Sequence, residues 1–298
     1  MKKIYFIYNP HAGKEQIGPK LNEIIRTLAE IDNELTVVPT IGHLDAQNRI
    51  EHLKEEYDLV VCSGGDGTLD EVVTGMMKRP KEKRIPIGYI PAGTTNDFAK
   101  SLEIPRNMPE AAKAAMSGKP FACDIGSFNE DFFVYIASFG IFTEVSYSTK
   151  QEMKNVLGHM AYVLEGMKSL YNIKSYKMRV SSDEMEFEGD FLFGMITNSK
   201  SVGGFKGIVK GDVKFDDGVY EATFIKRPKN PLELQEILTA LLIEEIDSNY
   251  MYSFRTKNLV IESEESVSWT LDGEFGGEHH QVMIKNNQQA VEIIAGDV

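Results

Sequence analysis

Four short apolar runs separated by helical patterns constrain this chain more than any other feature. Ile4–Tyr8, Leu35–Pro39, Leu59–Cys62 and Ile85–Ile90 are too short for ordinary helices and show little polar alternation. They read as strands buried on both faces. Between them, Ile17–Glu30, Asp45–Glu56, Leu69–Met77 and Pro109–Met116 repeat apolar residues at helical spacing. Strand and helix in alternation build a doubly wound, mostly parallel sheet with helices on both faces. Ligands of such open sheets bind beyond the carboxyl ends of the strands. The segments that follow Tyr8, Cys62 and Ile90 all fall at that edge.

Past Cys123 the texture changes. Phe132–Ala137, Ser175–Val180, Met185–Phe187, Phe191–Thr197, Val219–Ile225, Asn258–Ile261 and Ser266–Leu271 are strand-like runs set apart by turn residues. That pattern predicts an antiparallel β-sandwich or barrel. Two helical patterns interrupt it. One covers Lys154–Leu170. The other opens at Asn230, with Pro231 in its first turn, Glu233 at capping-box spacing, and Leu234, Ile237, Leu238 and Leu241 along one face. The length of 298 residues exceeds what one core usually supports. The expected division is an α/β nucleotide-binding domain at 1–123 and a β-rich substrate domain at 124–289. A tail at 290–298 is free to return to the first domain.

Composition narrows the function classes. A net charge of −13 argues against nucleic-acid binding, which needs a basic face to displace counterions. It also limits adhesion to anionic membranes to local basic patches. The two cysteines, Cys62 and Cys123, exclude a disulfide framework and read as buried free thiols of a cytoplasmic protein. The histidines form no metal-binding pattern, and His279-His280 reads as part of a turn. No apolar run is long enough to span a bilayer. The run after Met1-Lys2-Lys3 is cut short by Asn9-Pro10, unlike a signal peptide.

The strongest local signal is Gly64-Gly65-Asp66-Gly67-Thr68, between the strand ending at Cys62 and the helix opening at Leu69. Three glycines allow a tight turn and bring backbone N–H groups against an anion. The helix start adds partial positive charge. An aspartate would repel bare phosphate, so Asp66 points to a divalent cation between them. Two other loops reach the same edge: Asn9-Pro10-His11-Ala12-Gly13 and Pro91-Ala92-Gly93-Thr94-Thr95-Asn96-Asp97-Phe98. Gly13-Lys14 is not a P-loop, because the earlier glycine is missing and Glu15 follows the lysine. Gly93 admits close backbone approach, Thr94 can donate to a phosphate oxygen, and Asp97 adds a second carboxylate. Two carboxylates near a triphosphate suit magnesium. In the second half, Asp216-Asp217-Gly218-Val219 and Leu271-Asp272-Gly273-Glu274 each read equally well as turns. Asp272, however, ends the apolar run Trp269-Thr270-Leu271, which would hold its carboxylate rigidly.

Together these segments resemble the diacylglycerol kinase catalytic family, in particular its stand-alone bacterial lipid kinases. The match runs through Asn9-Pro10 with Gly13, Gly64–Thr68 with acidic Asp70-Glu71, and Gly93-Thr94-Thr95-Asn96-Asp97-Phe98-Ala99. It continues through Leu157-Gly158 with Ala161-Tyr162, Asn198 with Gly203-Gly204, Asp216-Asp217-Gly218, and Asp272-Gly273-Glu274. The resemblance implies ATP-dependent phosphorylation of a lipid hydroxyl, with ATP between an α/β domain and a β-sandwich domain. By position, the ATP contacts fall on Asn9, Pro10, His11, Ala12, Gly13, Thr40, Gly64, Gly65, Asp66, Gly67, Thr68, Leu69, Asp70 and Thr94. Asp272 takes the place of the family's general base. A structural Mg2+ site would use the Asp217 side chain and the backbone oxygens of Lys214 and Val219, with Glu274 acting through water. Asp66 and Asp97 would serve the catalytic Mg2+. Asp70 stands where many members carry asparagine. A proline usual ahead of the Asp216-Asp217 segment is replaced here by Gly207-Ile208-Val209-Lys210.

The same resemblance makes diacylglycerol the default acceptor, giving phosphatidic acid, with phosphatidylglycerol or sphingoid bases as other options and a homodimer left open. A soluble kinase of the NAD kinase type shares Gly64–Thr68 but leaves Asp272-Gly273-Glu274 without a role. A non-catalytic regulator would lack Asp66, Asp97 or Asp272. A lipid kinase must touch the inner face of a membrane, if transiently. The segments to test are Lys78-Arg79-Pro80-Lys81-Glu82-Lys83-Arg84 and Phe205-Lys206-Gly207-Ile208-Val209-Lys210.

Overall fold

The computed structural model describes residues 1–13, 15–30, 33–54, 56–94, 96–140, 174–199, 213–242 and 249–295. Their contacts gather into two compact units, Met1–Ile125 with Gln288–Val298, and Gly126–Asn287.

The first unit is built on β1 (Lys3–Tyr8), β2 (Glu34–Pro39), β3 (Leu59–Gly64) and β4 (Ile87–Pro91). They are parallel, in the order β4-β3-β1-β2. The end of a later strand joins beside β4, also parallel, pairing Ile293 with Ile87. Three of the four runs read as buried on both faces are so: Ile4, Phe6, Ile7, Val60, Val61, Cys62, Ile87 and Ile90 are all in the core. β2 is the edge strand and stays half-exposed.

Five helices surround this sheet: α1 (Leu21–Leu28), α2 (Asp45–Glu51), α3 (Asp66–Met77), α4 (Asp97–Ser101) and α5 (Met108–Ser117). α1 begins later than its apolar pattern, because Gly18–Lys20 form a separate 3-10 turn. α2 stops short of Glu56. There Arg79 Nη1 donates to the carbonyls of Ile50 (2.9 Å) and Leu53 (3.0 Å), which closes the helix end. α3 starts earlier than expected, taking Asp66, Gly67 and Thr68 into its first turn with Gly65 as N-cap. Gly75 lets α3 lie directly on α2, since a Cβ there would meet the Gln47 carbonyl oxygen at 2.5 Å.

The second unit is antiparallel. It holds β6 (Asp131–Phe133), β7 (Ile136–Gly140), β8 (Tyr176–Ser182), β9 (Glu186–Thr197), β10 (Tyr220–Lys226), β11 (Met251–Thr256) and β12 (Asn258–Leu271). It also holds α6 (Pro231–Leu242) and most of β13 (Glu274–Ala295). β5 (Lys119–Phe128) and β13 both run through the boundary between the units. The long strands β9 and β12 pair with β8 along their first halves and with β7 along their second. The strands thereby close on an aromatic core that includes Phe139, Phe191, Phe224 and Trp269. Each long strand was legible only as two fragments, because turn-like residues sit in mid-strand; β12 absorbs Glu262 to Val267 as a register shift. His279 and His280 correct the sequence reading: they lie inside β13, not in a turn. His279 Nε2 donates to the Gly276 carbonyl at 2.9 Å, where Gly277 bends the strand at φ 89°. The Lys154–Leu170 pattern, and the side chains of Leu238 and Leu241, lie outside the described residues.

Candidate active site

In the first unit the three glycine-bearing loops meet at the carboxyl edge of the sheet. The Asn9 N–H donates to Ser63 O (2.8 Å), its Oδ1 accepts the His11 N–H (2.9 Å), and its Nδ2 donates to Thr68 Oγ1 (3.4 Å). These bonds tie the loop after β1 to the start of α3. Gly13, at φ 55°, lies so close to the β4 loop that a Cβ would stand 1.9 Å from Ala92 O. A Cβ on Gly93 would stand 2.6 Å from the Gly65 Cα. Thr40 follows β2 and donates its N–H to Tyr8 O at 2.8 Å, which brings it to the same edge.

Burial sorts these residues. His11 and Thr94 are exposed, whereas Ala12, Asp66, Thr68 and Leu69 are buried. Leu69 sits in the core, so any contact it offers a ligand comes from its backbone. No side chain caps α3, and its first-turn N–H groups face the edge where the loops gather. Asp97 opens α4; its side chain lies outside the described residues, as does Thr95.

Two residues here carry roles that the sequence reading did not assign. Asn96, at φ 49°, accepts the Gly93 N–H on Oδ1 (2.9 Å) and donates Nδ2 to Gly93 O (2.7 Å). It fixes the β4 loop from beneath. Tyr89 donates to Gly64 O at 3.2 Å, and burial followed by the Asp66 charge pushes its hydroxyl well above the ordinary tyrosine range. Glu71 turns away from this edge. Its carboxylate accepts the N–H groups of Leu44 (2.9 Å) and Ala46 (3.1 Å), which caps α2.

In the second unit, one end of the sheet collects the acidic turns. Asp272 and Gly273 form a two-residue hairpin between β12 and β13, with Leu271 opposite Glu274 and both φ positive (49° and 89°). That is the type I′ geometry Asp-Gly favours. The turn reading is therefore right, and so is the rigidity. Asp272 is 4% exposed, and Oδ1 accepts the N–H groups of Tyr135 and Ile136 at 2.9 Å each, while Oδ2 accepts that of Val134. This nest divides β6 from β7, which explains why Phe132–Ala137 is not one strand.

On the same sheet, Arg255, Glu221, Thr197 and Ile136 are successive cross-strand partners. The Arg255 guanidinium pairs with Asp217 and reaches Glu221 at 3.2 Å. Asp217 Oδ1 also accepts the Val219 N–H at 3.3 Å, curling the turn around its carboxylate. Burial pushes the Glu221 carboxyl up to about 7, and its Oε2 is buried without a hydrogen-bond partner. Lys214 and Glu274 are exposed beside this cluster in sequence.

Comparison with known proteins gives the family. Residues 3–128 match the model of the diacylglycerol kinase catalytic domain. The chain is 32% identical to a diacylglycerol kinase of Bacillus subtilis, over 93% of this chain and 91% of that protein. It is 33% identical to a diacylglycerol kinase of Staphylococcus carnosus, over 93% and 90%. The chain belongs to the diacylglycerol kinase family. A crystal structure from Bacillus anthracis, solved as a candidate diacylglycerol kinase, superimposes with a TM-score of 0.81 at 26% identity, covering 99% of this chain and 96% of that one.

For this kinase, the glycine cradle and uncapped α3 fit a nucleotide phosphate group. At the turn, the Asp217 carboxylate is a hard oxygen donor of the kind magnesium takes, and it is paired with the Arg255 guanidinium. Among the described residues no three acidic, histidine or cysteine side chains form a metal cluster, so such an ion would lean on carbonyls and water. No helix among the described residues is long and apolar enough to cross a membrane.

The basic run shrinks on inspection. Arg79 is spent on α2, and Arg84 donates to the carbonyls of Met77 and Ala290, both at 2.9 Å. Lys78, Lys81 and Lys83 remain exposed, at the sheet edge opposite the glycine loops. The segment 205–210 lies outside the described residues.

Proposed function

We propose that this kinase transfers the γ-phosphoryl group of ATP to the hydroxyl of a membrane lipid, diacylglycerol first among them, giving phosphatidic acid. The observation that carries the donor side is the close approach of Gly65 and Gly93. It leaves backbone where side chains would otherwise stand, at a helix start suited to phosphate. The unit Met1–Ile125 serves the nucleotide, and Gly126–Asn287 serves the lipid.

Magnesium, when bound, would neutralise charge on the triphosphate, with Asp66 and Asp97 as its protein partners. A second ion would be held by Asp217, the carbonyls of Lys214 and Val219, and Glu274 through water. The protein's own part is positioning and charge, since phosphoryl transfer asks little covalent chemistry of it. Loop N–H groups around Gly64, Gly65 and Gly67 orient the phosphates, and Thr94 stands exposed at the same edge to donate to an oxygen. Asp272 receives the acceptor hydroxyl. Three backbone N–H donors fix the direction of its carboxylate. It takes the proton late, when a weak base suffices. Contact with the bilayer is transient and peripheral, from the cytoplasmic side.

Offering radiolabelled ATP to diacylglycerol, phosphatidylglycerol, a sphingoid base and NAD tests the assignment. Label in diacylglycerol is the expected result. Label in NAD alone would move the protein to a soluble kinase class.

A further inference from the structure

Asn198 is 0% exposed, and neither Nδ2 nor Oδ1 of its side chain has a hydrogen-bond partner. A buried amide left unsatisfied costs on the order of a few kcal/mol, and native proteins seldom keep one without a reason. Local backbone demand does not supply the reason, because that backbone is already fixed. The Asn198 N–H donates to Tyr135 O (3.0 Å), Thr197 Oγ1 donates to the same oxygen (2.7 Å), and the Ser199 N–H donates to Thr197 Oγ1 (3.1 Å).

The same Tyr135 donates its N–H to Asp272 Oδ1 at 2.9 Å. The Asn198 backbone and the Asp272 carboxylate are therefore joined through one residue by two hydrogen bonds. Asp272 is bonded to the same Tyr135, and Glu221, the cross-strand partner of Thr197, is paired with the Arg255 guanidinium. Near the Asp272 carboxylate a neutral acceptor of hydrogen bonds is admitted more readily than a second anion.

We propose that Asn198 is a specificity-determining residue that reads the acceptor lipid, its Nδ2 donating to an ester carbonyl beside the hydroxyl that is phosphorylated. The inference rests on Asp272 receiving that hydroxyl. Asn198 then makes the enzyme choose glycerides over alcohols that lack a neighbouring ester, because an amide left unpaired in the complex penalises the wrong substrate.

The experiment compares dioctanoylglycerol with its dialkyl ether as acceptors for the full chain at saturating ATP. It uses wild type, Asn198→Leu and Asn198→Asp, with thermal unfolding and the KM for ATP measured alongside. The wild type should favour the ester by about tenfold in kcat/KM, the worth of one hydrogen bond. Asn198→Leu should erase that preference by raising KM for the ester alone, with the KM for ATP unchanged and a melting temperature no lower than wild type. Asn198→Asp, which replaces the donor by an acceptor, should also lose the preference, and the wild-type comparison of ester with ether carries the test if neither variant folds. A wild type without preference, or variants that keep it, would overturn the proposal and leave the lipid-kinase reading standing. A wild type that binds ATP and labels neither lipid would overturn both.

Discussion

Asn96 and Gly93 bond to each other twice, Gly93 N–H to Asn96 Oδ1 at 2.9 Å and Asn96 Nδ2 to Gly93 O at 2.7 Å. The β4 loop thus owes its shape to a buried amide at φ 49°, a conformation asparagine tolerates better than most residues. Asn96→Ala loses both bonds and meets backbone strain. The expected loss is about 2–3 kcal/mol of stability with a roughly tenfold rise in the KM for ATP. Urea unfolding and ATP titration of the turnover rate check both numbers.

Gly65 and Gly93 face each other but should respond differently to alanine. A Cβ on Gly65 would find its nearest neighbour at an ordinary 3.5 Å, whereas one on Gly93 would stand 2.6 Å from backbone. Gly65→Ala should therefore fold with nearly unchanged melting temperature and bind ATP poorly. Gly93→Ala should melt several degrees lower. Differential scanning calorimetry with and without ATP separates the two effects.

Arg79 and Arg84 should matter to stability, and Lys78, Lys81 and Lys83 should not. Each arginine closes two part-buried backbone carbonyls, so either alanine variant is expected to cost about 1–3 kcal/mol. Replacing the three lysines by glutamine should leave co-sedimentation with acidic phospholipid vesicles unchanged, because they stand at the sheet edge away from the glycine loops. A loss of vesicle binding would restore this run as a membrane contact.

Both cysteines are buried, and burial raises the Cys62 thiol far above its ordinary value of 9.0. Iodoacetamide at pH 8 should therefore label neither in the native state and both in urea, at a rate that follows global unfolding. The sign of the pH effect is fixed. A thiol raised by folding contributes stability that is intact below about pH 9 and is lost above it as the unfolded thiolate forms. Stability that rises with alkaline pH would contradict this placement of Cys62.

The first unit was largely legible because its inner strands are buried on both faces, so Ile4–Tyr8 or Leu59–Cys62 declare themselves without knowledge of their neighbours. The second was legible only in pieces. β13 runs for 22 residues, yet Gly276, Gly277 and the two histidines look like a turn; Gly277 does bend the strand, and the pairing of Glu278 with Ser268 and His279 with Val267 is what carries it on. At the site, the glycines and Asp272 were visible because their chemistry is local. Glu71 appeared only as part of a motif, because nothing in its own segment shows that α2 needs a cap. Asn198 was visible as a motif without a role, since the lack of a partner is a property of three dimensions alone.

The central claim is that Asp272, held by three backbone N–H groups, receives the lipid hydroxyl. The most direct measurement is the turnover of Asp272→Asn with diacylglycerol and labelled ATP, beside its affinity for ATP. Asparagine also accepts αL geometry, so the hairpin is expected to persist. Turnover should fall by about a thousandfold while ATP affinity stays within a factor of about two. Near-normal turnover in the folded variant would contradict the account.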